Sequence, residues 1–299
     1  MATQATKDRG GDLAFSIANY VILSFFLVAV AYPLIYVVSS SFSSPTAISA
    51  GKVWFLPVDF TVNGYKAVFE TSKVWIGFRN SLFYAVVGTA FSVLLTVLAA
   101  YPLSRKDFGM RNHFMIFFVF TTLFSGGLIP SYLVVRSLGL LDTVWAMIVP
   151  GALAATNIII TRTFFQSSIP DELLEAAQLD GVSDLRFVKD VVIPLSMPIL
   201  MVNALFYAVG QWNSFFSALI YLRNPDLWPL QLVLRDILVN SNVKDLNPNM
   251  DQMKVLEQQQ LAIVLKYALI VVSTAPILMI YPFVQKHFVR GVLIGSLKG

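Results

Sequence analysis

Asn203, Tyr207 and Gln211 recur at four-residue intervals, which lines up their amide and hydroxyl groups on one face of a helix. Trp212 and Asn213 follow directly, and Thr156 and Asn157 form a second polar pair earlier in the chain. Groups of these types hydrogen-bond to hydroxyl-rich solutes, and they also bond helix to helix, which is worth about 0.6 kcal/mol on average in a membrane. They do not break covalent bonds. Cysteine is absent, which removes a thiol nucleophile, a disulfide framework and a thiolate metal site. His113 and His287 are the only histidines and stand far apart, so no histidine metal site is expected.

The carboxylates are just as informative by where they are missing. Six stretches of 18 or more residues contain no Asp, Glu, Lys or Arg: Leu13–Gly51, Asn80–Ser104, Asn112–Val135, Thr143–Thr161, Val191–Leu222 and Tyr267–Gln285. An enzyme working inside them would have no acid–base pair, and an ion-coupled secondary transporter would lack the usual intramembrane carboxylate and repeats. The whole chain of 299 residues is 57% hydrophobic and 13% charged, with a mean hydropathy of +0.71. Soluble domains are nearer about 45–50% and about 25%. A hydrocarbon core roughly 30 Å thick needs about 20 helical residues to cross. The runs are continuously apolar rather than alternating, which rules out a membrane barrel. An all-α polytopic membrane protein with six transmembrane helices is therefore expected. Its spans fall at about 13–39, 80–104, 112–135, 143–164, 194–222 and 267–285, forming a single transmembrane domain over 1–299.

The apolar run from Leu13 to Val38 far exceeds the roughly 7–15 residues of a signal-peptide core, so it is expected to stay as a span. Lys7 and Arg9, then Arg105, Lys106 and Arg111, then Arg162, Arg186 and Lys189, then Lys286, Arg290 and Lys298 fall on the N-terminal side. The short turn at 104–112 carries three basic residues where that at 136–142 carries Arg136 alone. The positive-inside rule then places both termini in the cytoplasm. The net charge of +4 fits basic cytoplasmic ends beside membrane lipid. No basic run is interleaved with aromatics, so no nucleic acid is expected.

Two longer loops, Phe42–Arg79 and Arg223–Lys266, lie on the other side. The second has Leu227, Leu230, Leu234, Ile237 and Leu238 at nearly helical spacing, which reads as an amphipathic segment lying on the membrane or a partner. It continues into a turn-rich tip, Asn240–Met250. Gly126-Gly127, Pro150-Gly151, Pro198 and Gly210 interrupt the spans.

The best-punctuated segment is the loop 167–193 between spans four and five. Ser168 can cap a helix whose first turn holds Pro170, Asp171 and Glu172. Leu173 to Leu179 continue it, and Asp180-Gly181 stops it. Ser183 can cap a second short helix through about Val192, ended by Pro194. Ala176 and Ala177 leave a low surface before the corner.

Glu175-Ala176-Ala177, three residues, Gly181, nine residues and Val191-x-Ile193-Pro194 resemble the EAA signature, E-A-A-x3-G-x9-I-x-L-P, of permease subunits of ABC importers. Val191 and Ile193 depart mildly from it and keep its apolar character. The segments 124–143, 211–235 and 285–299 resemble the carbohydrate-uptake subgroup, most of all the second permease subunit of alginate or uronate-oligosaccharide importers. The resemblance implies that Glu175, Ala176, Ala177 and Gly181 form a cytoplasmic coupling helix seated on an ATPase, and that Gly295 and Lys298 in the tail touch the ATPases too. It implies a bacterial cytoplasmic-membrane complex of this chain, a homologous second permease, two copies of an ABC ATPase subunit and an extracytoplasmic solute-binding protein. The Asn240–Met250 tip sits where related importers have a loop reaching toward the binding protein's sugar site. ATP and Mg belong to the partner ATPases. This chain has no phosphate loop, since its only Gly-Lys pair, Gly51-Lys52, is followed by Val53, and it binds no cofactor and catalyses no reaction. Oligosaccharides, acidic ones among them, are the implied cargo, with polyols or phosphodiesters as the alternative. The candidate substrate path is Asn157, Asn203, Tyr207, Gln211, Trp212 and Asn213.

Overall fold

The computed structural model describes residues 10–240 and 260–279. Among them there is no strand, and the chain is a succession of helices. In order these are α1 (Gly10–Ser41), α2 (Pro45–Ser49), α3 (Asn63–Glu70), α4 (Ser72–Ser104), α5 (Arg111–Leu123), α6 (Leu128–Ser137), α7 (Trp145–Ile148), α8 (Ala155–Ser168), α9 (Asp171–Leu179), α10 (Asp184–Phe187), α11 (Ile193–Leu195), α12 (Met197–Trp212), α13 (Phe215–Tyr221) and α14 (Leu230–Asn240). A final helix, α15, covers Gln260–Met279.

By length and composition α1, α4 and α15 can each cross a membrane. Two bent pairs, α5 with α6 (118°) and the α10–α11 segment with α12 (84°), bring the number to five if each is one span. The sequence reading expects six. The stretch read as span four consists of the short α7 and the 14-residue α8, separated at Pro150-Gly151. α4 begins at Ser72 rather than Asn80, so Lys73 and Arg79 stand on its first turns. The charge-free window marks the part of a helix that lipid can touch, and the helix itself runs on beyond it.

The described residues group into two compact units, 10–70 with 237–240 and 260–272, and 71–236 with 273–279. In the first, serines fasten the chain after α1. Ser39 donates to the Phe55 carbonyl (2.6 Å), and Ser43 accepts from the Val58 amide (3.0 Å). Ser44 caps α2 through the Ala47 amide at 3.2 Å. α3 lies so close to α15 that a Cβ on Gly64 would stand 2.8 Å from the Val264 carbonyl oxygen. The expected loop 42–79 is thus a folded, hydrogen-bonded segment.

In the second unit α4 packs along α12 and α8. Its buried face is Gly77, Ser81, Tyr84, Gly88, Ser92, Thr96 and Ala100, a mostly small-residue stripe that lets helices approach closely. A Cβ on Gly77 would meet Val233 at 2.9 Å, and one on Gly88 would meet the Gln211 amide nitrogen at 2.9 Å. Residues 223–233 also join this unit. Leu230, Leu232 and Val233 are buried. Asn80 donates to the carbonyls of Asp226 (2.7 Å) and Trp228 (3.1 Å), Tyr84 donates to that of Leu227 (2.8 Å), and Ser81 accepts from the Leu230 amide (2.8 Å). Of the residues read as an amphipathic face, Leu230 is buried within the chain, while Leu227, Leu234, Ile237 and Leu238 are half-buried.

Candidate functional site

Three helix breaks converge on one place. Residues Pro150 and Gly151 between α7 and α8, Ser214 between α12 and α13, and Ser131 on the helix redirected at Gly126-Gly127 all line a cleft of about 540 Å³. Gly127 has φ +82°, a left-handed backbone suited to glycine. In a bilayer a broken helix is tolerated where protein or a water-filled cavity satisfies its backbone.

Of the six residues proposed from sequence for a substrate path, Asn157, Tyr207 and Gln211 line this cleft. Tyr207 is fixed in place. Its oxygen accepts from the Ala154 amide (3.2 Å) and lies 2.8 Å from Thr96 Oγ1. Thr96 spends its own proton on the Ser92 carbonyl (2.7 Å), so Tyr207 is the donor between the two hydroxyls. Gln211 presents a buried Oε1 with no hydrogen-bond partner. The other three do different work. Asn203 donates to Thr161 (2.6 Å), which donates to the Asn157 carbonyl (2.6 Å), tying α12 to α8. The Trp212 indole donates to the Ser273 carbonyl at 3.0 Å. Asn213 is exposed and donates to the Val209 carbonyl at 2.9 Å.

The sequence reading missed Ser131, Ser214, Ser217 and Tyr221, which also line the cleft. The ring of Tyr221 stacks on Tyr132 (6.4 Å between centroids, 13° between planes). The Gly-Gly and Pro-Gly pairs inside charge-free windows were the available signal.

Near Tyr221 the chain is stapled by Asp142. One carboxylate oxygen accepts the backbone N–H groups of Arg223 (2.9 Å) and Asn224 (2.8 Å). The Asn224 amide first, then that of Arg223, holds this carboxyl below its ordinary range. The staple outweighs a left-handed backbone at Asp142, φ 60°.

The second candidate region is the 167–193 loop. α9 starts at Asp171, with Pro170 in the cap position; Ser168 is the last residue of α8 and caps nothing. Gly181 has φ +72° and closes α9 with Val182, whose amide donates to the Ala177 carbonyl at 2.9 Å. Glu175, Ala176 and Gly181 are exposed and Ala177 is half-buried. Leu174 points the other way and is buried with Leu103, Phe165 and Phe187. Leu179 and Leu185, on either side of the corner, are 90% and 77% exposed. The second helix does not end at Pro194. A π-turn over Val188–Val192 carries the chain into α11, and the break falls at Ser196. The wider turn suits Pro194, which has no N–H to return and whose ring would crowd the carbonyl four residues back.

Lys106 Nζ lies 2.6 Å from Asp171. Hydrogen bonding to Lys106 holds the Asp171 carboxyl below its ordinary range, and the same bond raises Lys106. Gly295, Lys298 and all of the Asn240–Met250 tip beyond Asn240 lie outside the described residues, as do Lys7, Arg9 and His287.

The model of the binding-protein-dependent transport system inner membrane component family matches residues 4–294. The chain belongs to this family. Such permeases are non-enzymatic subunits of ABC importers in the inner membrane. The permease is 42% identical to Protein LplC of Bacillus subtilis, over 95% of each chain. It is 41% identical to the polygalacturonan/rhamnogalacturonan transport system permease protein YtcP of the same organism, over 95% of this chain and 98% of that one. Its fold resembles a chain in the crystal structure of a bacterial ABC transporter involved in the import of the acidic polysaccharide alginate. The TM-score is 0.85 at 35% identity, covering 95% of this permease and all of that chain.

Proposed function

We propose that this permease passes oligosaccharides, including acidic uronate ones such as those of alginate, across the cytoplasmic membrane on ATP hydrolysed by partner subunits. The observation that carries this reading is a double likeness. A relative aligned over 95% of this chain is named for polygalacturonan and rhamnogalacturonan, and the solved structure it resembles serves alginate. The cleft agrees with a sugar cargo. It offers amides, hydroxyls and the aromatic faces of Phe206, Tyr207 and Tyr221, and its lining contains no charged residue to trap a carboxylate. Asn157, Tyr207 and Gln211 are the residues we assign to that path.

The working assembly is one six-span domain of this chain with a homologous permease, two copies of an ABC ATPase binding ATP and Mg, and an extracytoplasmic binding protein. Both termini and the α9 corner face the cytoplasm. Glu175, Ala176, Ala177 and Gly181 seat on the ATPase, and the exposure of Glu175, Ala176 and Gly181, with Leu179 and Leu185 beside them, supports this by leaving the corner open to a partner. Reconstituted into proteoliposomes with its partners, the importer is expected to hydrolyse ATP faster with alginate or galacturonate oligosaccharides than with neutral oligosaccharides or glycerol phosphodiesters. Equal or greater stimulation by a polyol or phosphodiester would overturn the cargo assignment.

A further inference from the structure

α9 is joined to the membrane helices by two covalent links, and both bend. At one end Ile169-Pro170 separates it from α8. At the other, the chain turns by 84° at Ser196 before α12. A push on the corner that travelled only along the backbone would be absorbed at these bends. Rigid transmission needs contacts across space. Some are apolar: Leu174 and Ala177 of α9, with Phe187 and Val192 beyond the corner, pack into the cluster that holds Val97, Ala100 and Leu103 of α4. One is ionic: Asp171, the first residue of α9, meets Lys106 Nζ at 2.6 Å and Arg105 Nη1 at 3.8 Å, while Arg105 Nε also meets Asp107 at 3.4 Å.

The Lys106 side chain is largely exposed, but the backbone that carries it and Arg105 is held. Both residues follow the last turn of α4, whose end is gripped from two sides. Arg162 of α8 donates from Nε to the Leu103 carbonyl at 2.9 Å, and Arg111 at the start of α5 donates to the Arg105 carbonyl at 3.1 Å. α4 in turn packs on α12 and α8, which carry Tyr207, Gln211 and Asn157.

We propose that Asp171 is a positioning residue: through Lys106 and Arg105 it makes the α9 corner and the Ser104 end of α4 move as one piece. The strut delivers ATPase motion to α4 without passing through the hinges at Pro170 and Ser196. The inference rests on the reading of α9 as the coupling helix. A surface ion pair of this kind adds little to stability, so its loss should show in coupling rather than in folding.

The test uses the full importer in proteoliposomes, with an alginate oligosaccharide as cargo, and reads cargo taken up per ATP hydrolysed. Asp171→Asn should lower that ratio about two- to fivefold, with assembly and melting temperature unchanged. Lys106→Met should lower it less, because Arg105 remains. The double variant should match Asp171→Asn alone, since both remove one interaction, and Asp171→Glu should restore most of the ratio. A wild-type ratio in Asp171→Asn, losses that multiply in the double variant, or no recovery in Asp171→Glu would each overturn the strut. Gly181→Asp, run in parallel, separates the two readings. If it keeps full substrate-stimulated hydrolysis, the coupling assignment itself fails. If it loses stimulation while Asp171→Asn behaves as wild type, only the strut fails.

Discussion

The cleft and the corner are built on opposite principles. At the cleft, polar groups are inward, some engaged with the chain itself, as Tyr207 is with Thr96 and Ala154, and one, Gln211 Oε1, without a partner. At the corner, Leu179 and Leu185 point outward with none of the described residues over them. On the proposed function, the contrast is between a part that receives force and a part that lets cargo pass, and it can be broken at either end.

The largest effect should come from Gly181→Asp. Gly181 sits at φ +72° with open space where a Cβ would go, so the substitution acts on the turn and on the docking surface rather than on packing. The protein should insert and assemble, while substrate-stimulated ATP hydrolysis falls by at least about tenfold. That is the loss expected when a seated contact worth about 1.4 kcal/mol or more is removed. Full stimulation in this variant would refute the role given to the corner.

Gly88→Val attacks the other end. A Cβ there stands 2.9 Å from the Gln211 amide nitrogen and 3.0 Å from its Cδ, so the bulk displaces Gln211. Overpacking of this kind costs about 1–3 kcal/mol. Uptake should drop several-fold, yet ATP turnover should still respond to the binding protein. Loss of both together would mean that cleft and corner are not separable.

How far the two regions could be read beforehand follows the same divide. The corner is local: Pro170, Asp171, Glu172 and Gly181 punctuate it within a dozen positions, so its helix and turn were visible from residue types alone. Only its details escaped. Pro170 displaced Ser168 from the cap, and the π-turn carried the second helix past Pro194. The cleft depends on pairs distant in sequence. Four-residue spacing put Asn203, Tyr207 and Gln211 on one face, but could not say that the Asn203 amide nitrogen would bond Thr161 away from the cleft while Gln211 would line it. Ser131 and Ser217 carried no local mark, because a serine in an apolar helix reads the same whether it faces a cavity or a neighbour. The stretch from Leu227 to Leu238 shows a related limit: helical spacing of leucines reports an apolar face and is silent on what covers it, and here α4 takes up Leu230 while the other four stay half-buried.

A smaller effect is expected from Tyr207→Phe. It removes the donor to Thr96 and leaves the Ala154 amide without its acceptor, at a cost of about 1–2 kcal/mol. A lowered melting temperature of the purified importer, with a near-normal ratio of uptake to hydrolysis, would place Tyr207 as a brace of the cleft. A large fall in uptake at unchanged stability would instead place it against the cargo.

The smallest effect should come from the Asp142 staple, which belongs to neither region. Its carboxyl is held low by the Asn224 and Arg223 amides, so the contribution is complete above the ordinary carboxylate value of about 3.9 and is lost only as pH falls through the lowered one. Between pH 8 and pH 5 the Arg223 and Asn224 amides should therefore show no pH effect on protection once the intrinsic exchange rate is divided out. Asp142→Ala should raise their exchange severalfold while changing uptake by less than about twofold. It removes two charge-assisted acceptor contacts from an exposed turn, while Asn80, Ser81 and Tyr84 still hold the chain that follows. If Asp142→Ala instead stopped uptake, the stapled segment would be part of the moving machinery, and the division between a driven corner and a passive cleft would have to admit a third working part.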